Sequence, residues 1–256
     1  MDLSASTVLV TGAASGLGAA TTEMAIAAGA HVVAADIVTE RQSEMIDKYG
    51  EDSITCTRTD VTDSESVSAT IAAATGTGKP LRAVVNCAGI LLARKTLSSR
   101  GAHDLESFSK VLTVNVAGTF NVIRLAVDVM KDNEPLEDGE RGVLIMTSSV
   151  AAFDGQIGQV SYSASKGAIA AMTLPLARDL SSIGIRALSI APGVFETPMV
   201  AGLSDEARAS LGAQVPFPSR LGRPAEYAQL AGHIIENRML NGEVIRLDGA
   251  IRMAPK

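Results

Sequence analysis

Thr7 to Gly29 reads T-V-L-V-T-G-A-A-S-G-L-G-A-A-T-T-E-M-A-I-A-A-G. Thr7-Val8-Leu9-Val10 is a short apolar run halted by Gly12, and Leu17 to Ala28 carries a helical pattern that Gly29 stops. Strand, glycine turn and helix make one βα unit. Within the turn, Gly12, Gly16 and Gly18 are spaced G-x-x-x-G-x-G. Glycines let the backbone turn tightly and approach a phosphate closely, while the helix N-terminus offers free N–H groups and a partial positive charge. A pyrophosphate meets both conditions; a glycine-rich turn without a ligand is the plain alternative.

The next segment, H-V-V-A-A-D-I from His31 to Ile37, reads as a second buried strand with Asp36 at its end. A carboxylate there can accept both ribose hydroxyls of an adenosine and would repel a 2′-phosphate, which favours NAD over NADP. The alternative for Asp36 is a cap on the following helix, expected over Glu40 to Tyr49. A third strand, Ser53 to Arg58, precedes Asp60-Val61 and a helix over Ser64 to Ala74. Asp60 either caps that helix or bonds the adenine amino group. Ala83-Val84-Val85 is a fourth strand running into Asn86-Cys87-Ala88-Gly89, where small residues allow a ligand close to the backbone.

Arg94 to His103 is polar and reads as an exposed loop, and Leu105 to Met130 as a long helix. Asn115 interrupts its apolar pattern, either as a core amide that bends the helix or as a polar group set beside Lys166. Val143 to Met146 is a fifth strand, Ile185 to Ala191 a sixth ended by Pro192-Gly193, and Glu243 to Leu247 a seventh. Helices are expected from near Ser161 to Ile183 and over Ala225 to Glu236. Alternation of this kind, with no linker and no repeat, predicts one α/β domain over residues 1–256: a doubly wound parallel sheet of about seven strands with helices on both faces.

Ser149 follows the fifth strand, at the sheet edge where open α/β sheets bind ligands. Tyr162 and Lys166 stand at i and i+4 of the next helix, on one face. A cation beside a phenol stabilises phenolate and lowers its pKa, which would let Tyr162 exchange a proton near neutral pH. Alone, Y-x-x-x-K is also an ordinary solvated helix pair. Residues 195–217 carry Pro198 and Pro216 around apolar Met199, Val200, Leu203 and Leu211. An apolar segment between prolines after a strand end is a candidate lid over an apolar substrate, or else an oligomer contact.

The chain of 256 residues is 46% hydrophobic but only 3% aromatic, without Trp, so Ala, Val, Ile and Leu must build the core. A net charge of −6 with no basic tract argues against nucleic acid as a partner. Cys56 and Cys87 read as reduced thiols in or beside buried strands, and His31, His103 and His233 form no metal motif, so no metal is expected. Neither a targeting signal nor a long apolar run is evident, which predicts no membrane association and a cytoplasmic protein.

Thr11 to Gly18, Asn86 to Gly89, Asn115, Ser149, Tyr162, Lys166 and Pro192-Gly193 together resemble the short-chain dehydrogenase/reductase family, in order and across nearly the whole chain. That resemblance implies a Rossmann-type domain, a homotetramer, and nicotinamide-dependent interconversion of a secondary alcohol and a ketone. It implies Tyr162 as general acid/base, Lys166 as the cation that lowers its pKa and holds the nicotinamide ribose, Ser149 on the substrate oxygen, and Asn115 on a water path to Lys166. Cys87 departs from the asparagine many members carry there. A closer resemblance, to the type II 3-hydroxyacyl-CoA dehydrogenases that are also described as hydroxysteroid dehydrogenases, lies in V-A-A-F-D-G-Q-I-G-Q, A-P-G-V-F-E-T-P, V-P-F-P-S-R-L-G and L-N-G-E-V-I-R-L-D-G-A-I-R-M. By that similarity Ser15, Leu17, Asp36, Asp60, Val61, Cys87, Phe195 and Thr197 line the NAD site, and Gln156 joins Ser149 and Tyr162 at a small-molecule substrate. Independently of it, Arg208 and Arg220 are basic residues in and beyond the lid and are candidates for CoA phosphates. The rivals are an NADPH-dependent 3-oxoacyl-carrier-protein reductase, a catalytically silent NAD-binding scaffold, and a sugar-nucleotide epimerase, whose larger C-terminal region this length leaves no room for.

Overall fold

Seven parallel strands form one sheet in the order β3-β2-β1-β4-β5-β6-β7. They are β1 (Thr7–Thr11), β2 (His31–Asp36), β3 (Ile54–Arg58), β4 (Leu81–Asn86), β5 (Gly142–Thr147), β6 (Ile185–Pro192) and β7 (Val244–Leu247). A computed structural model describes residues 1–202 and 204–255. The order reverses between β1 and β4, and a crevice opens there at the C-terminal edge of the sheet, the usual ligand position in this topology.

Continuous apolar runs become central strands because both sheet faces are covered. Val8 and Val10 face one layer with Tyr227, Ile234 and Ile235, while Leu9 faces the other with Val122, Ile123 and Ile169. The first layer holds α1 (Gly16–Ala27), α2 (Gln42–Tyr49) and α9 (Pro224–Glu236); the second holds α3 (Ser64–Thr75), α5 (Thr119–Met130) and α6 (Val160–Asp179). Between β6 and α9 lie two short helices, α7 (Pro198–Ala201) and α8 (Asp205–Ala213).

Four local readings change. The segment Arg94 to His103 is not all loop: Leu97–Ser98 and Gly101–Ala102 pair as a small antiparallel hairpin, which its exposed, mostly polar residues hid from a pattern search. The helix Leu105 to Met130 contains a π-helical turn, Thr113–Gly118, between α4 (Leu105–Leu112) and α5. The helix after Ser149 stops at Asp179, and a separate 3-10 turn, Ser181–Ile183, leads to Gly184 in the left-handed conformation. Asp63, not Asp60, caps α3, accepting from the Glu65 N–H at 3.0 Å.

Candidate active site

The turn after β1 is packed so tightly that side chains are excluded. A Cβ on Gly12, whose φ is +66°, would lie 2.8 Å from the Ala88 nitrogen, and one on Gly18 would lie 2.1 Å from the Gly12 carbonyl oxygen. Gly12, Ser15, Gly16, Leu17 and Gly18 form one wall of a cavity of about 1310 Å³ along the C-terminal sheet edge. Asp36, Asp60, Val61, Cys87, Ala88 and Gly89 continue it. The Asp36 carboxylate accepts from the backbone N–H groups of Ala14 and Val38, each at 2.9 Å. It caps no helix, since α2 starts at Gln42 after Arg41. Asp60 accepts from the Thr62 hydroxyl and N–H at 2.7 and 2.9 Å, and these bonds hold its carboxyl below the usual range. Asn86 is buried and does not line the cavity; neither atom of its amide has a partner among the described residues.

Ser149, Tyr162 and Lys166 form the opposite wall. Ser149 sits just past the end of β5 as the cap of a short 3-10 turn, its hydroxyl accepting from the Ala151 N–H at 3.1 Å. Helix α6 sets Tyr162 and Lys166 one turn apart, with Nζ 5.6 Å from the centre of the phenol ring. Lys166 is buried, pairs with no carboxylate among the described residues, and donates to the Thr147 carbonyl at 2.7 Å. Burial lowers its pKa to about 8.

The sequence predicts a lowered pKa for Tyr162, and here the structure differs. Burial raises it, with the Ser149 hydroxyl pulling the other way. The amine lies over the ring and is bonded to Thr147, and the loss of water around the phenol outweighs the Ser149 hydrogen bond.

Asn115 lies in the π-helical turn, a feature often kept at functional sites. Its amide is committed: the oxygen accepts from the Ile90 N–H at 2.8 Å, and the nitrogen donates to the Ile90 carbonyl at 2.9 Å and to the Ser165 hydroxyl at 3.0 Å. It therefore ties the loop after β4 to α6 and does not line the cavity. Only Gly89 separates it from Lys166; a Cβ there would be 3.2 Å from the Asn115 amide oxygen and 3.6 Å from Lys166 Nζ.

Pro192, Gly193, Phe195 and Thr197, with Gln156, Val200 and Leu211, line the remainder. The Gln156 amide donates to the Ala254 carbonyl at 3.0 Å. Leu203 and the side chain of Met199 lie outside the described residues. Arg208 pairs with Asp205, Arg220 bonds Glu226 through both guanidinium ends at 2.6 and 2.9 Å, and neither lines the cavity. Sequence reasoning missed Thr147, Met253, and the stripe Glu106, Ser109, Lys110 and Thr113 on α4 and the turn after it. The stripe repeats at i, i+3, i+4 and i+7, so a search for polar rather than apolar periodicity would have found it.

These residues fit a dinucleotide. The cradle is closed to any Cβ, a carboxylate stands at the end of β2, and a buried amine with spare protons faces the space between. Comparison with known proteins agrees. The short chain dehydrogenase family model matches residues 6–208. A 3-hydroxyacyl-CoA dehydrogenase type-2 of Drosophila melanogaster is 52% identical over 96% of this chain and 97% of its own. The human protein of that name is 52% identical over 96% and 95%. The crystal structure of a 3-hydroxyacyl-CoA dehydrogenase type-2 from Mycobacterium avium superposes with a TM-score of 0.95 at 40% identity, covering 99% of this chain and 98% of the other. The chain belongs to the short-chain dehydrogenase family and is an oxidoreductase that works with a nicotinamide cofactor.

Proposed function

We propose that the chain is an NAD-dependent 3-hydroxyacyl-CoA dehydrogenase that oxidises the secondary alcohol of an (S)-3-hydroxyacyl thioester, fatty or branched, to the ketone. The convergence of Ser149, Tyr162 and Lys166 on one wall of a cavity whose other wall is the glycine cradle carries this reading. The names of the similar proteins supply the substrate class. Asp36 supports NAD, because a 2′-phosphate would meet a carboxylate already fixed by two backbone donors.

NAD, when bound, supplies the hydride acceptor and a positive charge. Tyr162, ionised beside the Lys166 ammonium that stabilises its phenolate, takes the proton of the substrate hydroxyl on Oη and becomes the neutral phenol, and Ser149 donates to the oxygen of the substrate. Burial raises the pKa of the phenol, and positive charge from Lys166 and from the oxidised cofactor works against that rise. Val200 and Leu211 on the apolar lid, 195–217, cover an acyl chain.

The assembly expected is a homotetramer. An 18-residue stretch of helix Leu105–Met130 has a mean hydropathy of 1.3, and by length and composition the helix is able to cross a membrane. One of its faces packs on the sheet, however, and the other opens a groove lined by Leu112, Val116, Phe120 and Met172 that a second copy would cover. Cys56 and Cys87 are free thiols, in keeping with a reducing compartment such as the cytoplasm.

A panel of short 3-hydroxyacyl-CoA thioesters and hydroxysteroids, each with NAD and NADP, tests the reading. Turnover of the thioesters with NAD is expected. A strong preference for NADPH with acyl-carrier-protein thioesters, or no turnover of any secondary alcohol, would overturn it.

A further inference from the structure

Tyr227 on α9 is the bulkiest side chain with no solvent exposure, and it does not line the cavity. It lies on the sheet face opposite α6, yet its hydroxyl reaches the end of β5, 2.7 Å from Thr147 Oγ1. Thr147 Oγ1 is also 2.7 Å from the Asn86 carbonyl oxygen, to which it donates. A hydroxyl has one proton. Once Thr147 gives its proton to Asn86, it can only accept from Tyr227, whose own pKa burial drives upward so that it stays a donor. On the other side of the same residue, the Thr147 carbonyl accepts from Lys166 Nζ at 2.7 Å, and the next hydroxyl, Ser148, donates to the Lys166 carbonyl at 2.9 Å.

We propose that Tyr227 is a positioning residue for the reaction: by donating to Thr147 Oγ1 it fixes the peptide whose carbonyl holds the Lys166 amine beside Tyr162. The proposal rests on the dehydrogenase reading of that site. The titratable groups facing Lys166 are the Tyr162 phenol on its own helix, the Cys87 thiol after β4 and, behind Thr147, the Tyr227 phenol from α9. Cys87 Sγ lies 3.7 Å from both Thr147 Oγ1 and the Tyr227 oxygen, so the thiol packs against the same relay. With no carboxylate paired to the amine, the Thr147 carbonyl is its one hydrogen-bond acceptor among the described residues. Loosening that carbonyl withdraws support from the ammonium and, through it, from the phenolate.

The test is the pH profile of oxidation with NAD for the wild type, Tyr227→Phe, Thr147→Val and Thr147→Ser. Tyr227→Phe is expected to lower kcat about five- to tenfold, leave KM for NAD within about twofold, and move the acid limb of the profile about half a pH unit upward. Thr147→Val should do the same, Thr147→Ser should restore the limb, and the double variant should shift it no further than either single one. A Tyr227→Phe enzyme with a lowered melting temperature but an unmoved limb would overturn the proposal, since packing alone would then explain the residue. Should the wild type oxidise none of the substrates, the functional reading fails and crystal structures decide the positioning: loss of the Lys166–Thr147 bond in Tyr227→Phe supports it, and retention overturns it.

Discussion

Arg186 and Lys166 are buried to the same degree, 7% and 5% exposed, at opposite ends of one sheet. The protein treats them differently. At the N-terminal edge, the Arg186 guanidinium bonds Glu140 at 2.8 Å, the carbonyls of Ile234 and Leu240 at 2.9 Å and that of Ile235 at 3.0 Å. The Ile234 and Ile235 carbonyls belong to the last turn of α9, where the helix dipole welcomes a cation. At the C-terminal edge, Lys166 has a single carbonyl and no counter-ion among the described residues. An ammonium has three protons, so two remain uncommitted for a ligand. Buried charge that serves the fold is paired off; buried charge that serves the chemistry is left with capacity to spare.

Removing each cation should therefore have opposite effects on stability. Arg186→Met strands Glu140 and several carbonyls, and is expected to destabilise by about 3–5 kcal/mol in denaturant titration, with activity per folded molecule unchanged. A loss below about 1 kcal/mol would mean that the pair contributes little and that the contrast is wrong. Lys166→Met removes a penalty instead. Its folded pKa of about 8 lies below the ordinary 10.5, so the penalty is present in full below about pH 8 and fades as pH rises towards 10.5. The variant should be more stable than the wild type by about 1–3 kcal/mol at pH 7, lose that advantage by pH 10.5, and have almost no turnover. Equal stability at both pH values would show that Lys166 is not held at a disadvantage.

The difference between the two edges also explains what was legible in the sequence. The strands of a doubly covered parallel sheet are unbroken apolar runs, and Val8 to Val10 or Val143 to Met146 announce themselves. The cradle was legible because close backbone approach leaves only glycine at Gly12 and Gly18. Ser149, Tyr162 and Lys166 were legible because chemistry constrains residue type and spacing together. Arg186 with Glu140 was not: the partners are 46 residues apart and follow no local period. Asp63, directly before the expected helix start at Ser64, is the cap that start implies, and the reading of Asp60 as a cap overlooked it. The direction of the Tyr162 shift was misread because adjacency on a helix reveals a neighbouring charge, whereas desolvation depends on everything packed around the pair.

The most direct measurement is on Tyr162→Phe, which deletes one oxygen and keeps the ring. Turnover with NAD should fall by at least about a thousandfold while the dissociation constant for NAD stays within about twofold. Ordinary turnover in that variant would contradict the assignment of the proton transfer to Tyr162, and with it the account of why Lys166 is left unpaired.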